Sequence, residues 1–198
     1  WEEDDSDEYC SAATDLADAQ AVCDKLGIKL HTVNFAAEYW DNVFELFLAE
    51  YKAGRTPNPC VMCNTHIKWR ALLKRANALE CDFIATGHYA SIRQHTNGRY
   101  VISKGLDETK DQSYVLWGLD QELLSRTIMP LGGYRKSAIR QMAMDMGYPE
   151  LAKKSESYEI CFVPDNDYRG FLKRRVDGLE DKVAGGWFVD KTGKKLGQ

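Results

Sequence analysis

Apolar residues recur at helical spacing between Tyr9 and Leu26, at Ala13, Leu16, Ala17, Val22, Cys23 and Leu26. This predicts a helix with one apolar side, closed by Gly27, a residue free to adopt positive φ. From Ile28 to Val33 the pattern switches to alternation with β-branched content, which predicts a strand. Helical spacing returns from Phe35 to Tyr51, with Val43, Phe44, Phe47 and Leu48 on one side, and Gly54 ends that region. Beyond a proline-containing loop, Asn64 is a fair N-cap for a helix over 64–79 whose shared face is Ile67, Ala71, Leu72, Ala76 and Leu79. Asp82 to Thr86 is a short apolar strand. The alternation of helices and strands predicts an α/β fold with an open, mostly parallel sheet.

The second half is more irregular. Ser91 to Ser103 predicts a hairpin turning at Thr96-Asn97-Gly98. A helical stretch from Gln121 to Thr127 is broken by Pro130-Leu131-Gly132-Gly133. Lys136 to Met146 is helical, with Ile139, Met142 and Met146 at core spacing, the methionines as gap-filling core. Tyr158 to Val163 is strand-like, with Cys161 in its middle. A short helix from Asp167 leads through Phe171 and Leu172 into a basic run. Ala184 to Gln198 is Gly-rich, with apolar stretches at Trp187-Phe188-Val189 and Leu196, and reads as the start of a smaller β-rich domain. The expected division is one domain over 1–165, then a linker and the start of the β-rich domain over 166–198.

Composition changes this picture little. With 198 residues, 44% of them hydrophobic, the chain can build one sizeable core and a smaller second unit. No stretch approaches the ~18 consecutive apolar residues of a membrane span. The first residue is Trp within an acidic run and no signal peptide is recognisable, so the chain reads as a piece of a longer protein. Six irregularly spaced cysteines argue for free thiols in a reducing, cytoplasmic compartment. The net charge of −4 is uneven: residues 1–8 hold six of the 30 acidic groups and no basic one, which leaves +2 for the remainder. Basic residues bunch at Lys68, Arg70, Lys74 and Arg75, at Arg135, Lys136 and Arg140, at Lys153 and Lys154, and at Lys173 to Arg175. Such clusters can neutralise phosphates, and they serve equally as solvated helix faces.

Candidate chemistry concentrates between Gly54 and Lys68. Pro57 and Pro59 hold this loop extended where Cys60 and Cys63 follow at i and i+3. A cysteine at a helix N-terminus lies in the positive end of the dipole, which is expected to lower its thiol pKa. A proline-stiffened turn with two incidental cysteines fits the spacing as well, since one C-x-x-C alone is a weak signal.

Residues 54–69 (G-R-T-P-N-P-C-V-M-C-N-T-H-I-K-W) resemble the signature loop of the tRNA-specific 2-thiouridylases. Four more stretches agree with that family in the same order: Trp1–Asp5, Ala85–Ala90, Lys110–Tyr114 and Glu159–Pro164. The resemblance implies a sheet of the adenine-nucleotide alpha hydrolase (ATP-pyrophosphatase) type. It also implies ATP-dependent transfer of sulfur to position 2 of the wobble uridine of tRNA, with ATP and Mg2+ as cofactors. Cys161 matches the persulfide carrier and Cys63 the loop nucleophile, while Asn58, Pro59 and Cys60 match positions lining the target base. Gly87 matches an ATP contact; His88, Lys110, Asp111 and Gln112 match tRNA contacts. Taken by itself, His88 reads as a satisfied core histidine and Lys110-Asp111-Gln112 as a polar turn.

The implied partners are tRNA and a sulfur-carrier or cysteine desulfurase-type donor, around a monomer. The family's Ser-Gly-Gly-x-Asp-Ser phosphate loop is expected before Trp1 and its β-barrel after Gln198, so these 198 residues are expected to lack ATP turnover. Many relatives carry Asp where this chain has Cys60. Three thiols, Cys60, Cys63 and Cys161, can in principle hold an iron–sulfur cluster, or zinc with His66 as fourth ligand. Outside the enzyme class, the alternative is a tRNA-binding module on an inactive fold. Cys10, Cys23 and Cys81 are expected to be structural.

Overall fold

The structure, a computed structural model, describes residues 12–154, 160–163, 167–179 and 185–197. Trp1–Asp5, Cys10, Tyr158, Glu159 and Pro164 lie outside them. Helix α1 (Ala12–Leu26) ends at Gly27, whose φ of +66° is the left-handed conformation expected of a C′ glycine. Its apolar side is not core: Leu16 and Leu26 are 48% and 50% exposed. Polar contacts hold α1 instead. Lys25 Nζ donates to the carbonyls of Met146 and Gly147 at 3.0 and 3.1 Å and lies over the Tyr148 ring, while Lys154 pairs with Asp15 and Asp18, both at 2.6 Å.

The strand expected at Ile28 to Val33 does not form. A strand needs a hydrogen-bonded neighbour, none among the described residues runs beside this segment, and Ile28 and Val33 stay exposed. The next helix does form, as α2 (Ala36–Tyr39), a π-helical turn (Trp40–Phe44) and α3 (Glu45–Lys52) in one run. A second run joins α4 (Pro59–Met62), a π-helical stretch (Cys63–Ala71) and α5 (Leu72–Ala78).

Strand β1 (Ile84–Ala85) pairs in parallel with β4 (Thr127–Ile128), Ile84 opposite Thr127 and Ala85 opposite Ile128. This agrees with the expected parallel sheet, on a smaller scale. Arg126 fixes the approach to β1: its guanidinium donates to the carbonyls of Asp82 and Cys81, both at 2.7 Å, and to Asn77 Oδ1 at 2.6 Å. Between β1 and β4 lies the expected hairpin, β2 (Ala90–Gln94) against β3 (Tyr100–Lys104), followed by a 3-10 turn (Ser113–Leu116) and α6 (Gln121–Ser125). The hairpin packs closely on the turn after β4: a Cβ at Gly132 would collide with the carbonyl oxygen of Ala90.

Helices α7 (Lys136–Asp145) and α8 (Pro149–Lys153) follow. Met142, Met144 and Met146 are exposed, not gap-filling core, because no described element covers that side of α7. Residues 160–163 form a turn, closed by Val163 N donating to Ile160 O at 2.9 Å, where a strand was expected. Helix α9 (Tyr168–Arg175) starts as expected at Asp167, whose side chain accepts from Gly170 N. Strands β5 (Phe188–Val189) and β6 (Lys195–Gly197) form a hairpin whose Trp187, Phe188, Val189 and Leu196 are all exposed; the described residues build no second β-rich core.

Two buried clusters organise the rest. One gathers Trp69, Leu73, Ile84, Leu116, Leu123 and their neighbours under the hairpin. Trp69, fully buried, donates its indole N–H to Thr127 Oγ1 at 2.7 Å, and that hydroxyl donates to Leu123 O at 2.6 Å. The other cluster is aromatic: Phe44 and Phe47 meet Phe171 and Leu172 of α9, with Phe162 among them.

Candidate active site

The cysteine loop enters its helix six residues earlier than expected. Asn58, not Asn64, is the N-cap: its Oδ1 accepts from Cys60 N at 3.1 Å, and Pro59, buried, takes the first helical position where its missing N–H is harmless. Asn64 is buried inside the helix and donates from Nδ2 to Cys60 O at 2.8 Å. From Cys63 the helix widens to π geometry. Residues four apart then stay in line, so Val61, Thr65, Trp69 and Leu73 face the core and Lys68 faces outward. The expected face was only partly right: Ile67 and Ala76 are buried, Ala71 and Leu72 half-buried, and Leu79 exposed.

Three thiols gather at one side of this helix. Cys161 sits in the 160–163 turn, whose next residue, Phe162, is held by edge-to-face contacts with Phe44 and Phe47 at centroid distances of 5.5 and 5.0 Å. This anchorage places Cys161 Sγ 3.6 Å from the Tyr39 hydroxyl. Burial raises the Tyr39 pKa above its ordinary value, and the negative charges that Cys161, Cys63 and Cys60 can carry raise it further, so all three lie within electrostatic reach of one phenol. All three are free thiols; Cys60 and Cys161 are exposed and Cys63 is half-buried.

The expected lowering of the thiol pKa values is reversed. Burial pushes Cys63 up to about 11, and Lys68 pulls it back only in part. Cys60 is likewise raised, by burial and by Cys161, against the opposing pull of Lys68. A first-turn position brings a helix dipole near Cys60, but desolvation outweighs it.

Beyond Lys68 opens a cavity of about 480 Å³, lined by Phe35, Ile67, Lys68, Leu72, Thr86, Gly87, His88 and Gln112. It lies beyond the carboxyl end of β1, where ligands of parallel sheets bind. His88 is buried against Trp69, with ring centroids 5.1 Å apart, and its Nδ1 is 3.0 Å from Thr86 Oγ1. Burial, aided by the Lys68 charge, holds its pKa down to about 4, so the imidazole is neutral at physiological pH. A Cβ at Gly87 would meet only Leu131 Cδ1, at 3.8 Å, so packing within the chain does not require glycine there.

Gln112 is locked to Tyr89 in both directions: its Oε1 accepts from Tyr89 N and its backbone N–H donates to Tyr89 O, both at 3.0 Å. Asp111 fastens the hairpin through Gly105 N (2.9 Å) and Ser113 Oγ (2.6 Å). Lys110, half-buried, and Asp111 do not line the cavity.

The structure thus brings together Cys60, Cys63 and Cys161, and separately Gly87, His88 and Gln112. Lys68 and Tyr39, which join and organise the two groups, escaped the sequence reading. The exposed lysine behind Ile67 was legible as a charge, but its reach to both groups was not.

The cavity suits an adenine nucleotide: Phe35, Ile67 and Leu72 offer apolar walls for a base, Gly87 a bare backbone and Lys68 a cation. No carboxylate lines it, so the only side-chain oxygens it offers a cation are those of Thr86 and Gln112. Nothing among the described residues supports an iron–sulfur cluster or zinc. Among the described residues no three His, Cys, Asp or Glu side chains are arranged to hold a metal ion, and His66 lines a different cavity beside Arg70. That second cavity, of about 520 Å³, carries Arg70, Lys74 and Arg75 on one rim and Glu38 and Asn42 among its other lining residues. No helix among the described residues is long and apolar enough to cross a membrane.

Comparison with known proteins agrees with the resemblance read from the motifs. The chain is 57% identical to the tRNA-specific 2-thiouridylase MnmA of Amoebophilus asiaticus, over 95% of this chain and 50% of that protein. Identity to the protein of the same name from Cytophaga hutchinsonii is 57%, over 96% of this chain and 51% of the relative. For that of Tolumonas auensis it is 59%, over 93% and 52%. The chain spans about half the length of these relatives. The family described as "tRNA methyl transferase HUP domain" matches residues 1–165, and the chain belongs to that family.

Proposed function

We propose that the protein to which this chain belongs is a tRNA-specific 2-thiouridylase, which replaces the 2-oxygen of the wobble uridine of tRNA with sulfur. The observation that supports this reading is that Cys63 and Cys161, remote in sequence, lie within electrostatic reach of each other and of one phenol, which Cys161 touches. A persulfide on one thiol and its release by a second is the use that sulfur transfer makes of such a pair. The names of the relatives support the same reaction.

A pyrimidine carbonyl oxygen is a poor leaving group, and ATP supplies the adenylation that makes it one. The chain's own residues do the rest. Gly87 and the apolar walls seat the nucleotide, and Lys68 faces its negative charge. Lys110 and Asp111 belong to the surface that meets tRNA, neutral His88 and Gln112 face tRNA from within the cavity they line, and Asn58, Pro59 and Cys60 border the target base. Cys161 receives a sulfane sulfur from a sulfur-carrier or desulfurase-type donor. The terminal sulfur of that persulfide attacks C2, and the C2–O bond breaks with loss of AMP. Cys63, once deprotonated, attacks Cys161 Sγ; a disulfide forms between them and the electron pair departs with the sulfur now on the base. A thiol reductant resets the pair.

The test is thiolated tRNA measured by retardation on a mercury-containing gel, with full-length protein. Cys63→Ser and Cys161→Ser should abolish thiolation. Cys81→Ser, whose thiol is exposed and donates to Leu79 O, should keep most of it. Robust activity in either of the first two variants would overturn the reading.

A further inference from the structure

We infer that Tyr39 is a positioning residue for sulfur transfer: its hydroxyl holds the sulfur of Cys161 in line for attack by Cys63. The inference rests on the reading of Cys161 as the sulfur carrier, and it concerns a residue that no motif singled out.

Cys161 needs such a holder. It lies in a turn, its side chain is exposed, and a sulfur on a free χ1 samples several directions. Tyr39, by contrast, closes α2 where the chain passes into the π-helical turn, and its ring meets Phe162 edge-on at 6.1 Å. The ring is therefore fixed by the same aromatic cluster that fixes the Cys161 turn. The 3.6 Å separation of the Tyr39 hydroxyl and Cys161 Sγ is within reach of an O–H to sulfur hydrogen bond. The phenol pKa, raised by burial and by the neighbouring thiols, keeps the hydroxyl protonated and hence able to donate at any working pH.

The step at stake is the disulfide exchange. Cys63 Sγ, as thiolate, attacks Cys161 Sγ; the new bond joins the two cysteines, and the bond from Cys161 Sγ to the transferred sulfur breaks. Displacement at sulfur requires the attacking and leaving sulfurs to lie in line. A donor fixed on Cys161 Sγ defines that line. The loss of one such positioning hydrogen bond corresponds to about tenfold in rate.

The experiment uses full-length protein with three substitutions. Tyr39→Phe removes only the hydroxyl. Tyr51→Phe removes a hydroxyl from the same aromatic cluster, where the ring packs on Phe47 and stacks on Tyr168. Cys161→Ser tests the underlying reading. Single-turnover thiolation on saturating tRNA should fall about tenfold in Tyr39→Phe, with KM for tRNA within twofold of wild type, and stay unchanged in Tyr51→Phe. A second readout needs no turnover. The equilibrium of the Cys63–Cys161 disulfide against glutathione, read by mass spectrometry of unreduced peptides, should shift about tenfold toward the disulfide in Tyr39→Phe only, because the contact is made by the free thiol. Tyr39→Phe with wild-type thiolation and wild-type disulfide equilibrium, alongside inactive Cys161→Ser, overturns the role of Tyr39 and leaves the carrier in place. Active Cys161→Ser overturns both.

Discussion

Cys63 should be a slow thiol at rest, and the structure says by how much. Burial raises it from an ordinary 9.0 to about 11. At pH 8 an ordinary thiol of that kind is roughly 10% thiolate, while one at 11 is about 0.1%; alkylation, which consumes thiolate, slows about hundredfold. The perturbation is pH, combined with Lys68→Met, which removes the cation opposing the rise. The assay is pulse labelling of full-length protein with iodoacetamide between pH 7 and 11.5, followed by digestion and fragment-ion mass spectrometry. Fragment ions are needed because Cys60 and Cys63 share a tryptic peptide. The rate at Cys63 should climb with pH toward a midpoint near 11, and Lys68→Met should push that midpoint higher. Steric shielding lowers the rate equally at every pH, so the midpoint reads the charge alone. A midpoint at or below 8.5 would refute the reasoning, because the helix dipole and Lys68 would then outweigh desolvation. If the midpoint is high, the thiolate forms only when something bound at the site takes the proton.

Two further outcomes concern stability. His88 is held near 4 against an ordinary 6.5, so between those values the unfolded chain binds a proton that the folded chain refuses. Stability is therefore full above about pH 6.5 and is lost as pH falls through about 4, by on the order of 3 kcal/mol; urea midpoints at pH 4.5, 5.5 and 7 should show this slope, and His88→Gln should remove it. Thr127→Val leaves the buried Trp69 N–H without its partner, while the Leu123 carbonyl keeps the Arg126 N–H, and should cost about 2 kcal/mol. Trp69→Phe should then cost less in the Thr127→Val background than in wild type, and equal costs in urea unfolding would show that the hydrogen bond contributes nothing.

What was legible in the sequence was local. The Asn97-Gly98 turn, the Gly27 stop and the Asp167 cap each rest on one or two residues whose conformational preferences act without help. What escaped depended on neighbours. The strand at Ile28 to Val33 had the right alternation but no partner among the described residues to pair with. Two asparagines competed to cap the cysteine helix, and the deciding signal was Pro59, which fits the first helical position only if Asn58 precedes it. The slip to π geometry at Cys63 leaves no mark in composition. The motif matches pointed to the three cysteines that meet, while the sequence-based thiol pKa had the wrong sign, since a dipole can be placed from a cap but desolvation needs the packed surroundings. Tyr39 was invisible for the same reason: its partner lies in a distant turn.

Lys68 stands between the cavity and the thiols, and its charge acts on His88 on one side and on Cys60 and Cys63 on the other. An anion seated in the cavity and a thiolate at the loop must then compete for the same ammonium group. The competition is reciprocal: whatever free energy the bound anion withdraws from the thiolate, the thiolate withdraws from the anion. With the cavity empty, Lys68 already offsets part of the rise at Cys63, and the thiol still stands at about 11. An anion in the cavity would draw on the same ammonium and raise the thiol further. A single shared cation thereby makes Cys63 harder to ionise while the anion is bound, whatever later takes its proton.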